Sequence, residues 1–160
     1  VGVYAPTEDF GPYIGVLQRF GPPDVVPLDP FAGNAAAIEE ARGFREIVQA
    51  VSVRLAADAN PANRLARVRW FAGEAVPFAQ AIAQAPVTTG LTVAVCFAVD
   101  GNAGGAVASG ALVVPIPEIL MLPGWQLAVD VVGGLAGDAV ADVRVLRQRF
   151  RLLDVGENKG

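Results

Sequence analysis

From Phe44 onward the apolar residues recur every second position, in short stretches separated by turn-forming residues. That period places successive side chains on opposite faces of an extended strand and leaves no helical stripe. Ile47, Val51, Val53 and Leu55 share one phase, against Arg45, Ser52 and Arg54 on the other. Ala66, Val68 and Trp70 alternate with Arg67 and Arg69, and Leu91, Val93, Val95, Phe97 and Val99 with Thr92, Ala94, Cys96 and Ala98. Trp125, Leu127, Val129 and Val131 continue the pattern, and the last stretch spans 139–152, with a bulge expected where the inner phase changes between Val145 and Leu146. A short run, Leu112 to Ile116, is closed by Pro115 and Pro117 and reads as an edge strand or a bulge.

Asp58-Ala-Asn-Pro61, Gly73-Glu74, Asp100-Gly-Asn102, Leu122-Pro-Gly124 and the Gly133–Asp138 stretch supply the turns. Strands at this spacing are the signature of an all-β sandwich or barrel, and an antiparallel β-sandwich is expected over residues 44–153, with 154–160 as a tail. Val93, Val95 and Phe97 are expected to form a central core row with Val53, Val68 and Trp125, and Trp70 is expected inside as well.

The first 43 residues differ. They hold six of the twelve prolines and six acidic groups against two arginines, so the chain's net charge of −4 resides there. Pro6, Pro12, Pro22, Pro23, Pro27 and Pro30 each remove a backbone donor, which excludes this stretch from the middle of a sheet. It reads as an extended, proline-rich arm that gains order on another surface, with one strand-like piece at 13–20. Asn34, the alanines that follow and Gly43 give a cap, a body and a stop for a two-turn helix, although Glu39 and Glu40 lie at its unfavourable end.

The chain has no histidine, which removes imidazole acid–base chemistry, Ser-His-Asp and Cys-His catalysis and the usual zinc sites. Asp58, Glu74, Asp100, Asp138 and Asp154 all fall at turns, where carboxylates cap or solvate, so no catalytic residue, cofactor or metal site is expected. Asp58-Ala-Asn60 and Asp100-Gly-Asn102 could each offer oxygens to calcium, but lack the dense acidic loop of a calcium site. The Gly-rich 101–110 stretch lacks the lysine and hydroxyl of a phosphate-binding loop and reads as a flexible connection. Cys96, the single cysteine, reads as a small buried hydrophobe.

A neutral body with an acidic arm is a poor partner for nucleic acid. No apolar run reaches the length of a membrane span, and Val1 to Tyr4 lacks the regions of a signal peptide. A first residue of Val implies that an initiator Met or a longer leading segment is missing from this numbering. At 53% hydrophobic and 18% charged the chain is apolar for its size, which points to surface covered by partners.

Candidate contact residues are the two same-face stripes, Arg67 with Arg69 and Arg147 with Arg149 and Arg151, together with Pro22, Pro23 and Pro30 of the arm. The stripes are either solvated sheet faces or meet carboxylates of a neighbouring subunit or of the acidic arm.

The stretch from Val51 to Arg64 (VSVRLAADANPANR) resembles a pattern of tailed-bacteriophage virion structural proteins, as does Leu122-Pro-Gly-Trp-Gln-Leu127 followed by Gly137-Asp138 and a closing strand. The resemblance covers about residues 44–152 and implies a jelly-roll-like sandwich acting as a capsid decoration or neck accessory component in the virion. It implies capsid or connector subunits as partners, a homo-oligomer in the particle and no catalytic residues. A carbohydrate- or receptor-binding sandwich is the alternative, and exposure of Trp70 or Trp125 would favour it.

Overall fold

The computed structural model describes residues 3–4, 15–28, 37–41, 43–100 and 111–154. Its strands, in chain order, are β1 (Val3–Tyr4), β2 (Gly15–Arg19), β3 (Asp24–Leu28), β4 (Ala37–Glu40), β5 (Arg45–Ala56) and β6 (Leu65–Phe71). They continue with β7 (Ala79–Ile82), β8 (Thr92–Ala98), β9 (Ala111–Pro115), β10 (Leu120–Met121), β11 (Gln126–Val132) and β12 (Ala139–Asp154). Among the described residues there is no helix.

One sheet runs β1-β2-β12-β5-β8-β9, with β3 also on β12 and β10 also on β5; the other runs β4-β11-β6-β7. Two mostly antiparallel sheets over a shared core are consistent with a β-sandwich. One pair departs from the expected antiparallel pattern: β8 and β9 run parallel.

The core follows the period-two phases. Val51, Val53 and Leu55 of β5 are buried with Val95 and Phe97 of β8, and Val68 and Trp70 of β6 lie inside with Leu127 and Val129 of β11. Fully burying one such side chain contributes about 1.5–3 kcal/mol. Of the expected core row, Val93 and Trp125 are only partly buried and pack at the margin.

The phase changes have a visible cause. The β5–β12 register shifts between Leu146 and Arg147, where β5 holds one extra residue, Gln49, and the inward positions of β5 pass from Val51 to Val48 and Glu46. A second shift lies between Ala141 and Arg144, with Asp142 at a φ of 50°. Aspartate tolerates that left-handed backbone better than most residues. The phase change expected between Val145 and Leu146 thus comes from an extra residue on β5 rather than on the last strand, whose own bulge lies at Asp142 and Val143.

The N-terminal stretch is where the structure corrects the sequence most. Residues 15–28 lie along β12 of the same chain: β2 pairs with Phe150 to Asp154, and β3 with Val143 to Arg147. Between them, four residues (20–23) face only Gln148 and Arg149, so this is one strand along β12 interrupted by a bulge containing Pro22 and Pro23; β2 also pairs with β1, and β3 is the sheet edge. The prolines exclude the segment from a sheet's middle but not from its edge, where one side of the backbone needs no partner; Pro27 stands opposite Arg144 on that edge.

Ala37–Glu40, expected inside a helix from Asn34 to Arg42, is β4, paired with Leu127 and its neighbours on β11. A helix of two turns is marginal alone, and the open ladder of β11 outweighs the alanine preference. Asn34, Pro30 and the 101–110 loop lie outside the described residues.

Two outcomes follow. Phe97→Ala should lower stability by about 3–5 kcal/mol through lost burial and a cavity, whereas Thr92→Ala on the exposed face should cost well under that in a urea titration. A chain beginning at Gly43 lacks β2, β3 and β4 and leaves β12 with β5 alone, so its denaturation midpoint should fall clearly below that of the full chain.

Candidate functional site

The first arginine stripe meets a carboxylate of its own sheet. Arg67 stands opposite Asp130 across the β6–β11 ladder and donates from Nε and Nη2 at 2.7 and 2.8 Å, a bidentate fork. Arg69 donates to the same carboxylate, and its guanidinium lies 5.2 Å from the Phe71 ring centre. The Asp130 hydrogen bond raises the Arg67 pKa against the opposing effect of burial. One carboxylate thus serves two guanidiniums, so the pair is half neutralised.

The second stripe meets the N-terminal segment. Arg147 donates to Asp24 at 3.2 and 3.4 Å and lies 3.6 Å from Glu46, while Arg149 is 3.6 Å from Asp24. Arg149 also sits against two aromatic rings, 5.7 Å from Phe20 and 5.3 Å from Phe44, whose centres are 4.8 Å apart. Gln148 donates its side-chain amide to Gly21 O at 3.1 Å. Charge, aromatic stacking and a backbone contact therefore fasten the edge strand at its bulge. Arg151 is exposed, as are Pro22 and Pro23. The stripes lie on different sheets, β6 in one and β12 in the other, and form no common patch.

The residue that sequence reasoning missed is Arg64, which is fully buried. Its Nε donates to both oxygens of Asp138 at 2.9 and 3.0 Å, and its Nη2 donates to Asp58 Oδ1 at 2.5 Å and Asn60 O at 3.0 Å. Its Nη1 donates to Ala62 O at 3.1 Å. Asp138 in turn accepts the backbone N–H of Asp58 at 2.9 Å and of Leu135 at 2.7 Å. Asp58 accepts the backbone N–H of Asn60 at 2.9 Å, the turn bond expected of that sequence.

Gly137 belongs to this arrangement: a Cβ there would lie 2.4 Å from Asp58 Oδ2. Loss of water raises the Asp138 carboxyl, but the Arg64 bond, the two backbone N–H groups and the Arg64 charge outweigh it, leaving the pKa below its ordinary value. Arg64 is shifted up, by the Asp138 bond first, against burial, with the charges of both aspartates adding. The signal was available: Arg64 occupies the same even-numbered phase as the inward Ala66, Val68 and Trp70.

Cys96 is half-buried on the outer, small-residue side of β8, and burial pushes its thiol up, away from the reactive thiolate. Comparison with known proteins finds no matching family model, no matching curated protein and no matching solved structure.

Arg64→Ala should lower the urea midpoint far more than Arg67→Ala, because it strands the Asp138 carboxylate inside the turn. Since the folded pKa of Asp138 is depressed, its contribution is present above the ordinary carboxylate range and is lost as pH falls through the lower folded value. Between about pH 7 and about pH 3, Asp138→Asn should therefore lose less stability than the wild type. Reversing Arg147 and Arg149 to Glu should loosen the edge strand, read as faster chymotryptic cleavage near Phe20 with the β spectrum retained.

Proposed function

We propose that this chain is a non-enzymatic structural component of a tailed-bacteriophage virion. In this reading it is a jelly-roll-like sandwich that decorates the capsid or reinforces the neck through contacts with capsid or connector subunits. The observation that carries the reading is the meeting of the two stretches that resemble such proteins. Val51 to Arg64 and Gly137-Asp138 lie far apart in sequence and join in one buried ionic clamp. The carboxylates nearest to a chemical role, Asp58 and Asp138, are held by Arg64 as structural ligands, which supports a non-enzymatic part.

The test is incorporation. Purified particles from a producing strain, washed in high salt and analysed by quantitative mass spectrometry, should contain the chain in fixed ratio to the major capsid subunit. Recovery of the chain only in the soluble lysate would overturn the proposal.

A second reading, a glycan- or receptor-binding module, is favoured by one feature. Trp125 is only half-buried and packs edge-on at 5.1 Å against Phe78, which is 49% exposed. Trp70, in contrast, is inside the core. If this aromatic pair stacks on sugars, Phe78→Ala should abolish binding on a glycan array while leaving incorporation unchanged.

A further inference from the structure

On the outer face of the smaller sheet two cations share one anion. Asp130 Oδ1 accepts from Arg67 Nε, while Oδ2 accepts from both Arg67 Nη2 and Arg69 Nη2. The fork is complete for Arg67. Arg69 is left with one hydrogen bond among the described residues, and its Nε is buried with no acceptor. A buried donor of a charged group that lacks an acceptor loses its hydration without recompense. The neighbours in register offer no second carboxylate: beside Arg69 stand Gln80 on β7 and Ala128 on β11, with Ile38 of β4 beyond Ala128. Glu40 belongs to the next row of that face, opposite Gln126.

We infer that Arg69 receives one carboxylate, an Asp or Glu side chain, from a partner protein laid against this face. Charge complementarity selects the occupant. Two guanidiniums against one carboxylate leave one positive charge uncompensated, on side chains 24% and 27% exposed. That exposure admits a partner, and the partial burial strengthens what it meets. Arginine presents a planar fork that matches a carboxylate, and Phe71, 5.2 Å from the Arg69 guanidinium, holds that plane from one side. A polyanion fits poorly, because the chain carries a net charge of −4 and Asp130 already touches Arg69. A single carboxylate among apolar side chains fits well, since half-buried Leu65 and Ile82 lie on the same face, along β6 and across from Arg67. The second arginine stripe is unlike this one, because its cations meet both Asp24 and Glu46. This names a partner contact for the assembly role proposed above and rests on that reading for its setting, but the binding itself is read on the free chain.

The test is a titration of the full chain with sodium acetate, followed by NMR of the arginine Nε–H groups. Sodium chloride at matched ionic strength and inorganic phosphate are the comparison arms. The Arg69 Nε–H signal should move saturably with acetate and stay still with chloride. Arg69→Gln should weaken acetate binding by about tenfold or more, with the β spectrum retained. Asp130→Asn, which removes the competing carboxylate, should tighten it severalfold. The two variants act in opposite directions, so a loss of folding cannot imitate both. An equal response to chloride, wild-type acetate affinity in Arg69→Gln, or a clear preference for phosphate would overturn the inference, as would Arg69→Gln entering particles at the wild-type ratio. If the wild-type chain is missing from particles while acetate binds at Arg69, the virion reading fails and the carboxylate site stands.

Discussion

The Arg64 clamp is the constraint on which the arrangement of turns depends. A fully buried guanidinium is tolerated only when its donors are met, and here they reach two carboxylates and two backbone carbonyls. Those acceptors come from the turn after β5 and the turn before β12, so the ionic group dictates how closely the two turns approach. Gly137 is compulsory because Asp58 occupies the space of a side chain. Asp58 O also accepts the N–H of Gly90, which draws the segment leading into β8 toward the same point. The entry to β6, the exit from β5 and the start of β12 are thereby set by one cation.

From that anchored start β12 acts as a spine. It pairs along one side with β5 and along the other with β3 and then β2. The N-terminal segment is thus a covering for a strand that would otherwise expose its backbone, and its acidic charge has a local destination in Asp24. The arginines of β12 were expected to meet solvent, a neighbouring subunit or the acidic N-terminal segment; Arg147 and Arg149 meet Asp24 of that segment. Arg67 and Arg69 instead share Asp130 on the neighbouring strand, a cross-strand pairing that fixes the β6–β11 register.

Strand identity and facing were legible because burial follows parity: Val51, Val53, Leu55, Val68, Val95 and Phe97 all lie on the faces that their alternation indicates. Pairing was not, because alternation says nothing of which strand lies beside which. The parallel β8–β9 pair and the seating of residues 15–28 on β12 are both products of long-range packing. The prolines bar the segment from a sheet's middle, but that restriction leaves an edge open, and Pro27 occupies one. The Asn34 to Arg42 segment misled for a related reason: local preference favoured a helix, and a neighbouring ladder decided otherwise. Arg64 was overlooked because arginine is seldom sought inside, although its phase placed it there.

The pairing of β12 with β2 and β3 has a consequence for the order of events during synthesis. β2 and β3 emerge early, and their ladder partners lie more than a hundred residues downstream, as the separation of Asp24 and Arg147 (123 positions) illustrates. Until the last strand is made, the first segment has no surface of its own chain on which to settle, and β5 lacks one of its long neighbours. Closure of the larger sheet therefore follows completion of β12 during translation, and contacts of such long range fold slowly. In the interval the β5 edge that β12 later covers stays unpaired, which makes the incomplete chain the state most exposed to misassociation.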